Sequence, residues 1–363
     1  LQVTFAREHL LKLERLLESL EPEVFTASDA IGWVYQFWQS KKKEEVNRSE
    51  RKIGTDELPA VTQLFTEPYM VNFLIHNTLG AWYAGKVFAA NPDLARNAEN
   101  EEALRNALAL PGAIWDYLRF IKGDDGIWQP AAGTFDGWPK KAAELKVLDP
   151  CCGSGHFLVA VFLYLVALRM AEEGLSARDA CNAVLRDNIF GLEIDERCTQ
   201  IAAFAIALAA WSYPAAGGFR PLSEFHIACT GIGPQANEEQ WVNLAEQAGM
   251  PTQADEHERV KNGLLNLHRL FSQAPTLGSL INLTNFAADI FSADYEALRP
   301  YLKAILKGEK SDDEQREKTI AAAGMVKAAE LLAYEYTLVI TNVPYLGRGK
   351  QNETLQAFLL FWN

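Results

Sequence analysis

Three short stretches of this chain carry side chains whose types and spacing can do chemistry. In the first, Asp149-Pro150-Cys151-Cys152-Gly153-Ser154-Gly155-His156-Phe157-Leu158 lies between two apolar runs. Glycines there let a ligand approach the backbone closely, and N–H groups at a following helix start can hold an anionic group. A bare Gly-x-Gly is also an ordinary turn. The stretch is no Walker loop, because no Gly-Lys-Ser/Thr follows, and the third glycine of Gly-x-Gly-x-x-Gly is missing. In the second, Gly191-Leu192-Glu193-Ile194-Asp195 closes another apolar run. A carboxylate at such a strand end accepts hydrogen bonds from both hydroxyls of a ribose. Together the two stretches imply a nucleoside cofactor, with Glu193 preferred to Asp195; an exposed, solubilising acid is the plain alternative. The third, Thr341-Asn342-Val343-Pro344-Tyr345, sets a carboxamide and an aromatic ring on a turn just past an apolar run.

The surrounding pattern says what must position them. Short apolar runs at Leu145–Leu148, Asn188–Ile194, Phe225–Ala228 and Tyr336–Thr341 read as strands alternating with helices. Such alternation indicates an α/β fold with a parallel, doubly wound sheet. The segment His156–Met170 is apolar on nearly all sides, so it is expected to be a buried helix. Residues 1–121 read as an N-terminal helical region. Leu10, Leu11, Leu13, Leu16, Leu17 and Leu20 recur there at helical spacing, and Asp29–Gln39 forms a second helical segment. A third helix is expected after Thr66, with Thr66 as its cap and Pro68 in its first turn. Lys122–Lys141, rich in Gly, Pro and Asp, reads as a loop or domain boundary. The sheet core takes 142–231 and 334–363. Residues 232–333 read as a helical insertion, clearest at Glu256–Phe271 and Glu314–Ala333.

Bulk composition bounds the function. With 363 residues, 49% apolar and 22% charged, the chain is an ordinary globular protein of about two domains. The longest apolar run, Phe157–Leu168, is too short to span a bilayer, so no membrane role is expected. Five cysteines without a Cys-x-x-Cys pair indicate neither disulfides nor a zinc site, so no metal is expected and a reducing cytoplasm fits. A net charge of −13 argues against nonspecific affinity for nucleic acid. Lys41–Lys43, Arg348 and Lys350 are candidates for phosphate contact, with a solvated surface as the alternative. Glu144 and Lys146 form an isolated nuclease-like pair without the Pro-Asp that such a site needs. The chain opens on Leu1 and runs 18 residues past Tyr345. It is therefore expected to be a stretch of a longer protein whose later strands and target-recognition domain follow.

Taken in order, Asp-Pro-x-x-Gly-Ser-Gly-x-Phe-Leu, Gly-Leu-Glu-Ile-Asp and Asn-x-Pro-Tyr resemble the amino-methyltransferases of DNA. The stretch Thr62-Gln63-Leu64-Phe65-Thr66-Glu67-Pro68 is similar to the motif that precedes the cofactor loop in adenine-N6 enzymes of gamma order. Gly32-Trp33-Val34-Tyr35-Gln36-Phe37 resembles the large methylases of type IIG restriction-modification systems and BREX-type phage defence. The resemblance covers most of 30–230 and 334–352 and leaves the helical insertion unexplained. It implies a Rossmann-like sheet that binds S-adenosylmethionine and methylates adenine N6 in double-stranded DNA, with the target base flipped out. Other defence-system subunits are implied as possible partners. Asn342, Val343, Pro344 and Tyr345 would be catalytic. Asp149, Pro150, Cys151, Gly153, Ser154, Gly155 and Phe157 would form the loop around the methionine part of the cofactor. Phe65 and Thr66 would close over its carboxylate end, Glu193 would bind its ribose, and Ile194 would pack on its adenine.

Two departures stand out. Val343 replaces the usual proline, although the role there belongs to a backbone carbonyl that valine also has. The third strand offers Ala228-Cys229-Thr230-Gly231 where the family often has an acid, leaving Thr230 or a backbone oxygen for the adenine amino group. Cys151 and Cys152 read as small loop residues rather than reactive thiols. Methylation of RNA, cytosine N4 or glutamine N5, or a cofactor-binding fragment without turnover, stay open as alternatives.

Overall fold

The computed structural model describes residues 6–21, 30–49, 52–53, 66–234, 237–247, 249–283, 297–298, 300–301, 324–343 and 346–361. The N-terminal part is helical: α1 (Arg7–Glu18), α2 (Ala30–Arg48), α3 (Pro68–Ile75), α4 (Ala81–Ala90), α5 (Pro92–Asn97) and α6 (Glu101–Leu108). A π turn, His76–Gly80, joins α3 to α4 without a break. An antiparallel ribbon follows, β1 (Phe120–Lys122) with β2 (Trp128–Pro130). Then come β3 (Val147–Asp149), α7 (His156–Glu173), α8 (Ala177–Asp187), β4 (Ile189–Glu193), α9 (Glu196–Ser212) and β5 (His226–Cys229). The insertion supplies α10 (Glu238–Gln247), α11 (Ala254–Phe271), α12 (Ala274–Leu277) and helical residues 324–332. The chain returns through β6 (Leu338–Val339) to α14 (Glu353–Phe361), counting 324–332 as α13.

The fold is mixed α/β around a four-stranded parallel sheet in the order β5-β4-β3-β6. The strand order reverses beside β3, and such reversals open a crevice beyond the carboxyl ends of the strands. Strand side chains alternate between two faces. Val147, Ile189 and Ile227 join one buried cluster with α7, α8 and α9, and that cluster also takes in Val71, Ile75, Leu79 and Trp115 from the N-terminal part. Leu148, Phe190, Leu192 and Ala228 face a second cluster built with Leu264, Leu267 and Phe271 of α11 and Met325 to Leu331 of α13. The insertion thus covers the second face of the sheet.

Local chemistry explains the helix ends. Gly155 and Gly174 flank α7 at φ +87° and +67°, and Gly174 N–H donates to Met170 O at 3.0 Å. Ser176 caps α8 by accepting from Asp179 N–H at 3.2 Å. Gly191 lets α7 lie close to β4, since a Cβ there would meet Leu158 Cδ1 at 2.7 Å. No described helix is long and apolar enough to cross a membrane.

The structure revises several local expectations. The Gly- and Pro-rich stretch Lys122–Lys141, expected as a loop or domain boundary, also carries β2, and its Trp128, Phe135 and Trp138 pack on the first cluster. Glu67, not Thr66, stands at the cap position of α3, and no side chain caps that helix. Pro68 takes the first turn as expected. The leucines of α1 stay 42–57% exposed. Part of the expected helix Glu314–Ala333 lies outside the described residues.

Candidate active site

The glycine loop is built on β3 and held by β4. Asp149 Oδ1 accepts from Cys151 N–H at 3.0 Å, and Cys152 N–H donates to Leu192 O at 2.9 Å. Gly155 N–H closes the turn on Cys152 O at 2.7 Å. A Cβ on Gly155 would lie 3.0 Å from Ala202 Cα, so the loop and α9 meet where only glycine fits. Gly153, at φ +52°, faces open space. Pro150, Cys151 and Ser154 are half-buried in the turn. Phe157 is buried in the first cluster, so its contribution to the loop is packing.

The two acids at the end of β4 are separated by their partners. Glu193 is buried and accepts three backbone N–H groups: Gly153 at 2.8 Å, Ile194 at 2.9 Å and Asp195 at 3.0 Å. Burial still raises its pKa against those hydrogen bonds. Asp195 instead caps α9 through Arg197 N–H at 2.9 Å and pairs with the Arg197 guanidinium. Asp149 is fully buried, and its pKa is raised to about 7 by burial, with the neighbouring Glu193 charge adding a little. The Thr341 hydroxyl and the Cys151 N–H oppose that shift. Thr341 Oγ1 is itself buried beside Asp149 without a hydrogen bond of normal geometry. Two buried carboxyls that ionise only at a cost, a buried hydroxyl beside one of them and an open glycine backbone fit a cationic, hydroxyl-bearing ligand.

Strand β6 delivers Asn342 to the same edge. Thr337 N–H and Leu338 N–H donate to Lys146 O at 2.9 and 3.1 Å, and Ile340 N–H donates to Leu148 O at 2.9 Å. Asn342 and Asp149 therefore leave neighbouring parallel strands in the same direction. The Asn342 carboxamide Nδ2 donates to Thr66 Oγ1 at 3.0 Å. Val343 is 63% exposed. Phe65, Pro344 and Tyr345 lie outside the described residues.

Thr230 follows the third strand. Thr230 is buried, and both its N–H (2.7 Å) and its hydroxyl (3.2 Å) donate to Glu193 O, leaving Thr230 Oγ1 only as an acceptor. Burial pushes the Cys151 thiol up to about 12 and the Cys152 thiol well above its ordinary value, so neither is a ready nucleophile. Lys146 Nζ lies over the Tyr334 ring, 4.8 Å from its centroid.

Sequence reasoning missed one wall of this site. The turn Gly278–Leu280, from the insertion, lies against Ile194 and Thr230. A Cβ on Gly278 would meet Ile194 Cδ1 at 3.2 Å and Thr230 Oγ1 at 3.3 Å. Ser279 Oγ is 3.8 Å from Cys151 Sγ. The glycine-serine pair after Pro275 is visible in the sequence, but alone it signals no more than a turn.

Residues 133–217 match the family described as MmeI, DNA-methyltransferase domain. The chain is 28% identical over 358 residues to the adenine-specific methyltransferase BrxX of Escherichia coli (strain HS), covering 95% of this chain and 27% of that protein. It is 27% identical over 339 residues to the adenine-specific methyltransferase PglX of Lacticaseibacillus casei, covering 91% and 25%. To the PglX of Streptomyces coelicolor it is 39% identical over 171 residues, covering 47% and 12%. The chain spans about a quarter of the length of BrxX and of the first PglX. The glycine loop and the end of β4 thus lie inside a match to the MmeI DNA-methyltransferase domain, and through nearly its whole length the chain is similar to adenine-specific methyltransferases of the BrxX and PglX type.

Proposed function

We propose that this chain is the catalytic core of a DNA adenine-N6 methyltransferase of a phage-defence or restriction-modification system, using S-adenosylmethionine. The observation that carries the reading is the meeting of the glycine loop, Glu193 and Asn342 at one edge of the parallel sheet. The similarity to proteins named adenine-specific methyltransferases supports it. On this reading the sheet is the cofactor half of a doubly wound, Rossmann-like fold. Asp149, with Thr341 beside it, faces the cationic methionine part, and the loop from Pro150 to Gly155 wraps it. Glu193 takes the ribose, and Ile194, Thr230 and Gly278 frame the adenine. Bound there, the cofactor supplies an electrophilic methyl group.

The chain's own residues then act on the acceptor. An exocyclic amine is a poor nucleophile because its lone pair is delocalised into the ring. Hydrogen-bond acceptors aimed at the amine hydrogens favour a more tetrahedral nitrogen and stabilise the positive charge that develops on it. The Asn342 carbonyl oxygen and the Val343 main-chain carbonyl fill those roles, and Tyr345 stacks on the flipped base. The net charge of −13 favours a narrower second reading of this stretch alone, cofactor binding with DNA held elsewhere in the protein. The test is product analysis. The full-length protein, given cofactor and duplex DNA, is expected to form N6-methyladenine, and Asn342→Ala is expected to cut the rate by roughly 100-fold or more. Unchanged methyl transfer by Asn342→Ala would sink the assignment.

A further inference from the structure

We propose that Thr66 is the positioning residue of Asn342: its hydroxyl accepts the carboxamide N–H and so turns the Asn342 carbonyl oxygen toward the amine to be methylated. The inference rests on the reading of Asn342 given above. A carboxamide is nearly symmetric in shape, with a donor at one end and an acceptor at the other. Only one of its two orientations helps an amine nucleophile. The wrong orientation would present N–H to N–H and repel the acceptor base. The partner comes from 276 residues away, with Asn342 Nδ2 3.0 Å from Thr66 Oγ1.

Thr66 is placed firmly enough for this task. It stands two residues before α3, and its hydroxyl is free of the capping duty that the sequence position invites, because Glu67 holds the cap position. Helix α3 packs on α7, the helix that follows the glycine loop. The π turn after α3 brings buried His76 against Tyr164 of α7, with Nε2 and the hydroxyl 2.5 Å apart. Tyr117 N–H donates to His76 Nδ1 at 2.9 Å, so Nε2 carries the proton and donates to Tyr164. The Tyr164 hydroxyl in turn donates to Ile114 O at 3.1 Å. This chain of hydrogen bonds seats the N-terminal helices on the sheet layer, and Thr66 with them. As a β-branched residue, threonine also has few side-chain rotamers to lose.

The test uses the full-length protein and three variants: Thr66→Val, which keeps the shape and removes the hydroxyl, Thr66→Ser, which keeps the hydroxyl, and Asn342→Asp. In single-turnover methylation, Thr66→Val is expected to be slower by about tenfold, with Thr66→Ser restoring most of the rate. Because the resemblance also sets Thr66 over the cofactor's carboxylate end, cofactor affinity is measured by calorimetry for each variant and the rates are compared at saturating cofactor, which separates orientation from binding. Asn342→Asp has no N–H end to orient, so adding Thr66→Val to it should cost nothing further. Independently of turnover, the Asn342 side-chain N–H signals, assigned in asparagine-labelled protein by their loss in Asn342→Asp, should move in Thr66→Val and not in Thr66→Ser. A full rate in Thr66→Val, the same loss from Thr66→Val in the Asn342→Asp background as in the unmodified protein, or unmoved signals overturn the proposal. If the unmodified protein methylates no adenine while the signals move, the function fails and the positioning contact stands.

Discussion

Asp149 makes the site sensitive to pH in a direction that can be worked out. Its folded pKa, raised to about 7 by burial, lies above the 3.8 of a free carboxyl. The folded state therefore holds this proton more tightly, so the group's contribution to stability falls as pH climbs from about 4 through about 7 and is flat above. On the proposed function, cofactor binding should run the other way, since a cationic ligand favours the ionised acid. At pH 6 about one Asp149 in ten is ionised and at pH 8 about nine in ten, so affinity should rise roughly tenfold between them. Asp149→Asn should flatten that profile in calorimetric titrations. His76 opposes Asp149 in the same window. Burial lowers its pKa from 6.5 to about 4, so its contribution to stability is full above 6.5 and is lost as pH falls toward 4. Replacing His76 by Asn should therefore make denaturation midpoints rise more steeply on acidification from pH 7 to 4.5. With the Cys151 thiol raised to about 12, alkylation of the native protein at pH 8 should leave it unmodified until the fold opens.

At the scale of elements, the glycine loop separates strain from crowding. Gly153 and Gly155 both have positive φ, but only Gly155 has a neighbour that a Cβ would strike, Ala202 Cα at 3.0 Å. Gly153→Ala should cost about 1–2 kcal/mol from backbone strain alone, while Gly155→Ala should cost more and take cofactor affinity with it. Urea titrations and calorimetry on the two variants read both quantities. These positions were legible in the sequence because the chemistry is local. Asp149, Glu193 and Asn342 each end a run of apolar residues, and a parallel sheet gathers strand ends at one edge. The ribbon β1–β2 was not legible, since Gly123 and Gly126 around its turn read as a loop or domain boundary and its strands are three residues each. Thr66 looked like a helix cap because threonine before Glu-Pro commonly is one; its hydroxyl instead serves a residue that no local pattern could link to it. The Gly278–Leu280 turn was hidden for the same reason, as its partners Ile194 and Thr230 belong to other strands.

Across the whole molecule, the insertion is a layer and not an ornament. Phe271 of α11 is fully buried in the cluster that covers Leu148, Phe190 and Leu192. Phe271→Ala should destabilise the chain by about 3–5 kcal/mol, read as a shift in denaturant midpoint, and should loosen the Gly278 wall of the site along with it. Beginning and end are also stitched together away from Asn342: Ile53 N–H donates to Lys350 O at 2.8 Å, beside a parallel bridge from Ile53 to Gln351. This stitching has a temporal side. Ribosomes add roughly 5–20 residues per second, so Asn342 emerges about 14–55 seconds after Thr66, its partner 276 residues earlier. Until then β3 lacks β6 on one side, and the first half of the molecule waits with an unpaired strand edge. During translation the β3 edge is therefore expected to stay unpaired until β6 arrives, and Asn342 joins Asp149 and Glu193 only near the end of this stretch.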